Sequence, residues 1–153
     1  MIRVFLVTLV AIMSSSLIAG ERVSATNYYV LDQESFDVGH DSVFWAEDNA
    51  GYFTVNEGPI DSGFARCIGS GFGGASSVRG EGICIYGQDA DTFTMTWKIE
   101  SFGVNSWEIV KGTEKYEGMT GKGTAKTRVT SQYLKLTHRI SDWEGEIELP
   151  NRN

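Results

Sequence analysis

Along most of this chain, hydrophobic and polar residues alternate with a period of two. The clearest instance is DTFTMTWKIE, residues 91–100. Phe93, Met95, Trp97 and Ile99 point to one side, and Thr92, Thr94, Thr96 and Lys98 to the other. Successive strand side chains face opposite ways, so the pattern predicts a half-buried β-strand. Its threonines and aromatics suit a pleated surface. Clusters of Gly, Asn and Asp cut the pattern at 48–51, 69–77, 88–91 and 112–121. Between the cuts, strands are expected near 27–32, 36–46, 51–57, 62–68, 80–86, 92–100, 104–110, 121–130, 132–140 and 143–149, some of them merging. No stretch carries the spacing of an amphipathic helix. Short strands at this density predict an all-β fold, an antiparallel barrel or a sandwich, in a single domain.

The first residues break the alternation. Arg3 precedes an apolar run, Val4–Met13, which ends at three serines. This order resembles a secretory signal peptide, and Val23-Ser24-Ala25 supplies small residues for a cut after Ala25. Ile18-Ala19-Gly20 is a second candidate site. The domain assignment is therefore a signal peptide over 1–25 and a barrel over 26–153. The apolar run is shorter than the ~20 residues a membrane helix needs. No membrane span is expected, and the protein is expected to be secreted or periplasmic.

Net charge is −7. An acidic surface argues against nucleic acid and anionic membranes as partners. Export bears on the two cysteines, Cys67 and Cys84. In an oxidising compartment such a pair is expected to form a disulfide, while a metal site needs further ligands and His40 and His138 lie far off in sequence. Opposed cysteines on antiparallel strands would place Arg66 across from Ile85 and Ile68 across from Ile83. The bond would contribute ~3 kcal/mol by the loop-length estimate.

Two glycine-rich stretches invite a phosphate-binding reading. GSGFGG, residues 69–74, matches the dinucleotide spacing, but loop and strand follow it where a helix should open. KGTEKYEGMTGKGT, residues 111–124, has Tyr116 and Gly123 where a P-loop needs Gly and Ser or Thr. Turns and bends at a barrel edge explain the glycines of 111–124 better, with Tyr116 and Met119 packing over or into the barrel end, while GSGFGGASSVRG, residues 69–80, is expected to form a long glycine-rich hairpin loop between the cysteines.

The segment GTEKYEGMTG, Gly112 to Gly121, followed by a strand pair ending EGEIELP, resembles the C-terminal part of the allene oxide cyclase barrel and dirigent superfamily. That group carries G-[ST]-G-x-[FY]-x-G-x-x-G before its last strands. Gly112, Thr113, Tyr116, Gly118 and Gly121 match, and Glu114 stands where the middle glycine usually is. The two-cysteine hairpin and the tryptophan strand after it are similar to those of small exported bacterial members. The resemblance implies one antiparallel, calycin-like barrel of about eight strands, often a homo-oligomer. None of the cyclase's pocket residues matches a position here.

The candidate site residues come from the strand faces. His138 shares a face with Leu134, Leu136 and Ile140, so it is either an acid or base in the lumen or a satisfied core histidine. Arg66 alternates with Phe64 and Ile68. It either anchors an acidic ligand in the barrel or pairs with a surface carboxylate. Trp107 is one of four tryptophans able to line a cavity or to fill it. Glu144, Glu146 and Glu148 read as the solvent side of the last strand. No zinc-site spacing and no G-x-S-x-G elbow is present, and no cofactor is expected.

Three functions remain open. The first is a barrel binding a small apolar or amphipathic ligand. The second is a cyclase or isomerase acting on a lipid-derived substrate by conformational restraint. The third is a structural or interaction protein of the cell envelope with a filled barrel.

Overall fold

The computed structural model describes residues 20–133 and 136–150. Eight strands carry almost all of it: β1 Glu21–Gly39, β2 Ser42–Glu57, β3 Gly63–Gly74, β4 Val78–Gln88, β5 Asp91–Ser101, β6 Val104–Gly112, β7 Thr120–Tyr133 and β8 Leu136–Glu148. Each pairs antiparallel with its neighbours in sequence, and β8 returns to β1, closing the barrel. The expected all-β fold, a single antiparallel barrel of eight strands, is what forms. Among the described residues, the one helical element is a 3-10 turn at Glu114–Tyr116, and no helix is long and apolar enough to cross a membrane.

The predicted pieces merge where polar clusters prove to lie inside strands. Asp48-Asn49-Ala50-Gly51 is the middle of β2, with Asn49 beside Leu31 on β1 and Cys67 on β3. Ser141 and Asp142 lie within β8. The expected leader falls mostly on residues 1–19, outside the described residues. Its last part does not: Glu21–Ala25 opens β1 and pairs with Trp143–Ile147, and Val23 and Ala25 are in the core. The barrel therefore begins at Glu21, ahead of the expected boundary at Thr26.

Closure makes strand parity a property of the whole sheet. Val23, Ala25, Asn27 and Tyr29 are buried on β1, as are Phe93 and Met95 on β5, Trp107 and Ile109 on β6, and Ser141, Trp143 and Ile147 on β8. Cys67 and Cys84 face each other with Cα atoms 4.0 Å apart and form the expected disulfide. Arg66 opposes Ile85 and Ile68 opposes Ile83, as the cysteine pairing requires.

The strand glycines have a packing role. Three cross-strand glycine pairs face the lumen, and an indole lies on each. Trp97 covers Gly69 and Gly82, Trp45 covers Gly71 and Gly80, and Trp107 covers Gly123 and Gly145. A Cβ built on any of these glycines would stand 2.2–2.6 Å from an indole atom, so any other residue would push the ring off the wall. The dinucleotide-like GSGFGG is part of this arrangement, and it is strand where a long hairpin loop was expected: β3 runs to Gly74 and β4 starts at Val78, because the glycines make room for the indoles.

One end of the barrel is closed. Phe53, Phe93, Tyr86 and Tyr116 meet there edge-on or stacked, with Ile60, Met119 and Ile147 around them. Tyr116 and Met119 are the plug expected from the sequence, and the Tyr116 hydroxyl accepts a bond from the Asp61 amide at 2.9 Å.

Candidate functional site

Above the plug the lumen is not filled. A cavity of about 440 Å³ runs toward the end carrying the β5–β6 turn at Phe102-Gly103. Trp45, Trp97, Trp107 and Trp143 form its walls. Trp45 and Trp97 lie nearly parallel, 7° apart, with centroids separated by 6.4 Å, while Trp107 meets Trp143 edge-on. Because the glycine pairs let three of the indoles lie close to the backbone, space remains at the centre.

The floor is polar and connected. Trp143 Nε1 donates to Asn27 Oδ1 at 3.2 Å, and Asn27 Nδ2 donates to the Tyr86 hydroxyl at 3.1 Å. The Tyr86 and Tyr29 hydroxyls share a bond of 3.1 Å, and Tyr29 also lies 3.2 Å from Cys67 Sγ. Burial raises the Tyr29 pKa well above the ordinary tyrosine value. Tyr86 and the Glu47 carboxylate push the same way, and Arg139 opposes them. Both tyrosines are therefore neutral hydroxyls at physiological pH.

An ion pair stands beside them. Arg139 Nη1 donates to Glu47 Oε2 at 2.8 Å, and the Glu47 side chain is only 7% exposed. Asn49 Nδ2 donates to the other carboxylate oxygen at 2.9 Å. Asn49 Oδ1 is buried without a partner. On the opposite wall, Asn105 Nδ2 donates to Thr127 Oγ1 at 3.2 Å, and Thr127 Oγ1 donates to Ser141 Oγ at 3.0 Å.

The three expected site residues do not meet here. Trp107 lines the cavity, and its Nε1 donates to the Thr124 carbonyl. His138 does not. On β8 the lumen face carries Arg139, Ser141 and Trp143, so His138 points outward with Leu136 and Ile140, half-buried. Leu134 lies outside the described residues. The cause is continuity. Trp143 and Ile147 are inward, β8 is unbroken between them and Leu136, and odd residues stay inward throughout. Arg66 is also outside, making a two-point pair with Asp48: Nε to Oδ1 at 3.1 Å and Nη2 to Oδ2 at 2.6 Å. This is the surface-carboxylate alternative. The hydrogen bond from Arg66 lowers the Asp48 pKa.

Asn27, Tyr29, Glu47, Asn49 and Arg139 were not candidates in the sequence. The signal for the first two was their spacing from Val23 and Ala25, which a cut after Ala25 removes from view. Glu47 and Asn49 sit at an apparent turn cluster. Among the described residues, no three His, Cys, Asp or Glu side chains gather to hold a metal. Comparison with protein-family models, curated proteins and solved structures gives no match.

Proposed function

We propose that the protein is a binding barrel that holds one small apolar or amphipathic molecule between its indoles. The observation that carries this reading is the division of the lumen. The end at Tyr116 is packed solid, while a cavity of about 440 Å³ remains above it within an aromatic wall. That is the size and lining of a small-molecule site, and an eight-stranded barrel is wide enough to hold one. A filled envelope barrel would not leave this space. Native mass spectrometry of protein from its own host should find a retained molecule that denaturation releases. An empty barrel, together with no binder in a panel of apolar and amphipathic compounds, would overturn the reading.

The relationship to allene oxide cyclase and dirigent barrels is proposed on related ground. Glu114, which replaces the usual middle glycine, has φ +48, a conformation glycine favours. Two rows of aromatics on the outer face, Tyr28–Tyr52–Phe64 and Phe36–Phe44–Phe72, support a homo-oligomer built through β1–β3. Light scattering at monomer mass would remove that proposal.

Export is part of the same reading, with its cleavage site revised. A cut after Ala25 would strip Val23 and Ala25 from the core and five pairing residues from β8. The second candidate, Ile18-Ala19-Gly20, leaves β1 whole. N-terminal sequencing of the mature protein should begin at Glu21.

A further inference from the structure

We propose that the occupant of the cavity is an uncharged molecule that donates a hydrogen bond, through a hydroxyl or an N–H, to Oδ1 of Asn49. The proposal rests on the binding-barrel reading and adds the ligand's chemistry. Asn49 is only 3% exposed, lines the cavity, and leaves Oδ1 without a partner. Its amide orientation is fixed by chemistry. Nδ2 donates to Glu47 Oε1, and a flipped amide would set oxygen against carboxylate. The orphan is therefore an acceptor, and it calls for a donor.

Among the described residues, no protein donor reaches Oδ1. Arg139 Nη1 is given to Glu47, Asn27 Nδ2 to Tyr86 and Trp143 Nε1 to Asn27. A buried acceptor left empty is unfavourable, so a donor from the occupant is gained at little expense. Charge narrows the class further. Both Glu47 oxygens are engaged, by Arg139 and by Asn49, and the pair is neutral as a unit. Arg128, at the mouth, is paired with Asp142. An ionised ligand would lose its hydration and find no free counter-charge. The flat indole walls favour a planar apolar body behind the donor.

The test compares indole, 1-methylindole and indole-2-carboxylate by titration calorimetry on the intact, disulfide-bonded protein. Indole, which keeps its N–H, should bind about tenfold more tightly than 1-methylindole, the size of one well-made hydrogen bond. The carboxylate should bind more weakly than indole. Asn49→Leu should bring the indole to 1-methylindole ratio to about one. The wild-type ratio needs no variant, so it decides the matter even where Asn49→Leu does not fold. Equal wild-type affinities, expected if a water molecule alone serves Asn49, overturn the proposal. So does a carboxylate that binds as tightly as indole, or a preference that survives Asn49→Leu. If none of the three compounds binds and the barrel from its host is empty, the binding-barrel reading itself falls. Binding without discrimination leaves that reading standing and removes this one.

Discussion

Gly118 has φ +75 and lies against the Pro150 ring, where an added Cβ would stand 3.1 Å from Cγ. A β-branched residue is both strained and crowded there. Gly118→Val should lower unfolding free energy by about 1–2 kcal/mol in denaturant titration. An unchanged midpoint would mean that the turn adjusts freely. The Arg139–Glu47 pair is a second place on which stability turns. Arg139→Met leaves a buried carboxylate uncompensated and should cost about 2–3 kcal/mol, reduced from the fully buried case by partial exposure of the arginine. Adding Glu47→Gln should restore most of the loss. If the double variant is as unstable as the single, the charge was not the cause. At this scale the cysteine pairing, Tyr116 and Met119 were legible because their types admit few roles. Glu47, Asn49 and Arg139 were not, because a charged or amide side chain in an alternating strand reads as surface until its parity is known.

Parity is decided by elements, and two expectations failed there for one reason. The last strand was read as two pieces, and each was assigned its own apolar face. Leu136, His138 and Ile140 look like an inward set only if the chain changes phase near Ser141, and β8 runs through that point without doing so. Trp143 and Ile147 in the second piece hold the register of the first. The opening strand was cut short in the same way. Its first five residues pair with β8, and two of them are fully buried. Expression of chains beginning at Glu21 and at Thr26 separates the two boundaries. The first should melt cooperatively. The second should melt several degrees lower or fail to fold, since it loses two core side chains and one end of the closing seam. Equal melting would return the boundary to Thr26.

For the molecule as a whole, most charges sit outside, with the Arg139–Glu47 pair as the inward exception, and the acid response is set by the surface carboxylates. Asp142 is held below the ordinary aspartate range, mainly by hydrogen bonding from Arg128, and Asp48 likewise by Arg66. A carboxylate with a lowered folded pKa adds stability above its unfolded value. That contribution disappears as pH falls through the folded one. The melting temperature should therefore be level from pH 7 to about 5 and decline below about pH 4. The decline should be shallow, because both pairs are at the surface. A rise on acidification would contradict the assignment. The overall architecture was legible in the sequence because period-two alternation, glycine breaks and the absence of helical spacing all pointed one way. Barrel and sandwich were not separated by that pattern, since closure depends on β1 meeting β8, a pairing between the two ends of the chain.

The plug at Tyr116 has a kinetic consequence. With that end packed, a guest held as proposed would have to reach the tryptophans and depart by the same doorway near Phe102. Two guests cannot pass one another in so narrow a space, so a newcomer cannot push out its predecessor. Replacement must wait for spontaneous escape. In a chase experiment the off-rate would reach a plateau that excess competitor does not change, and the duration of occupancy would be set by the barrel alone.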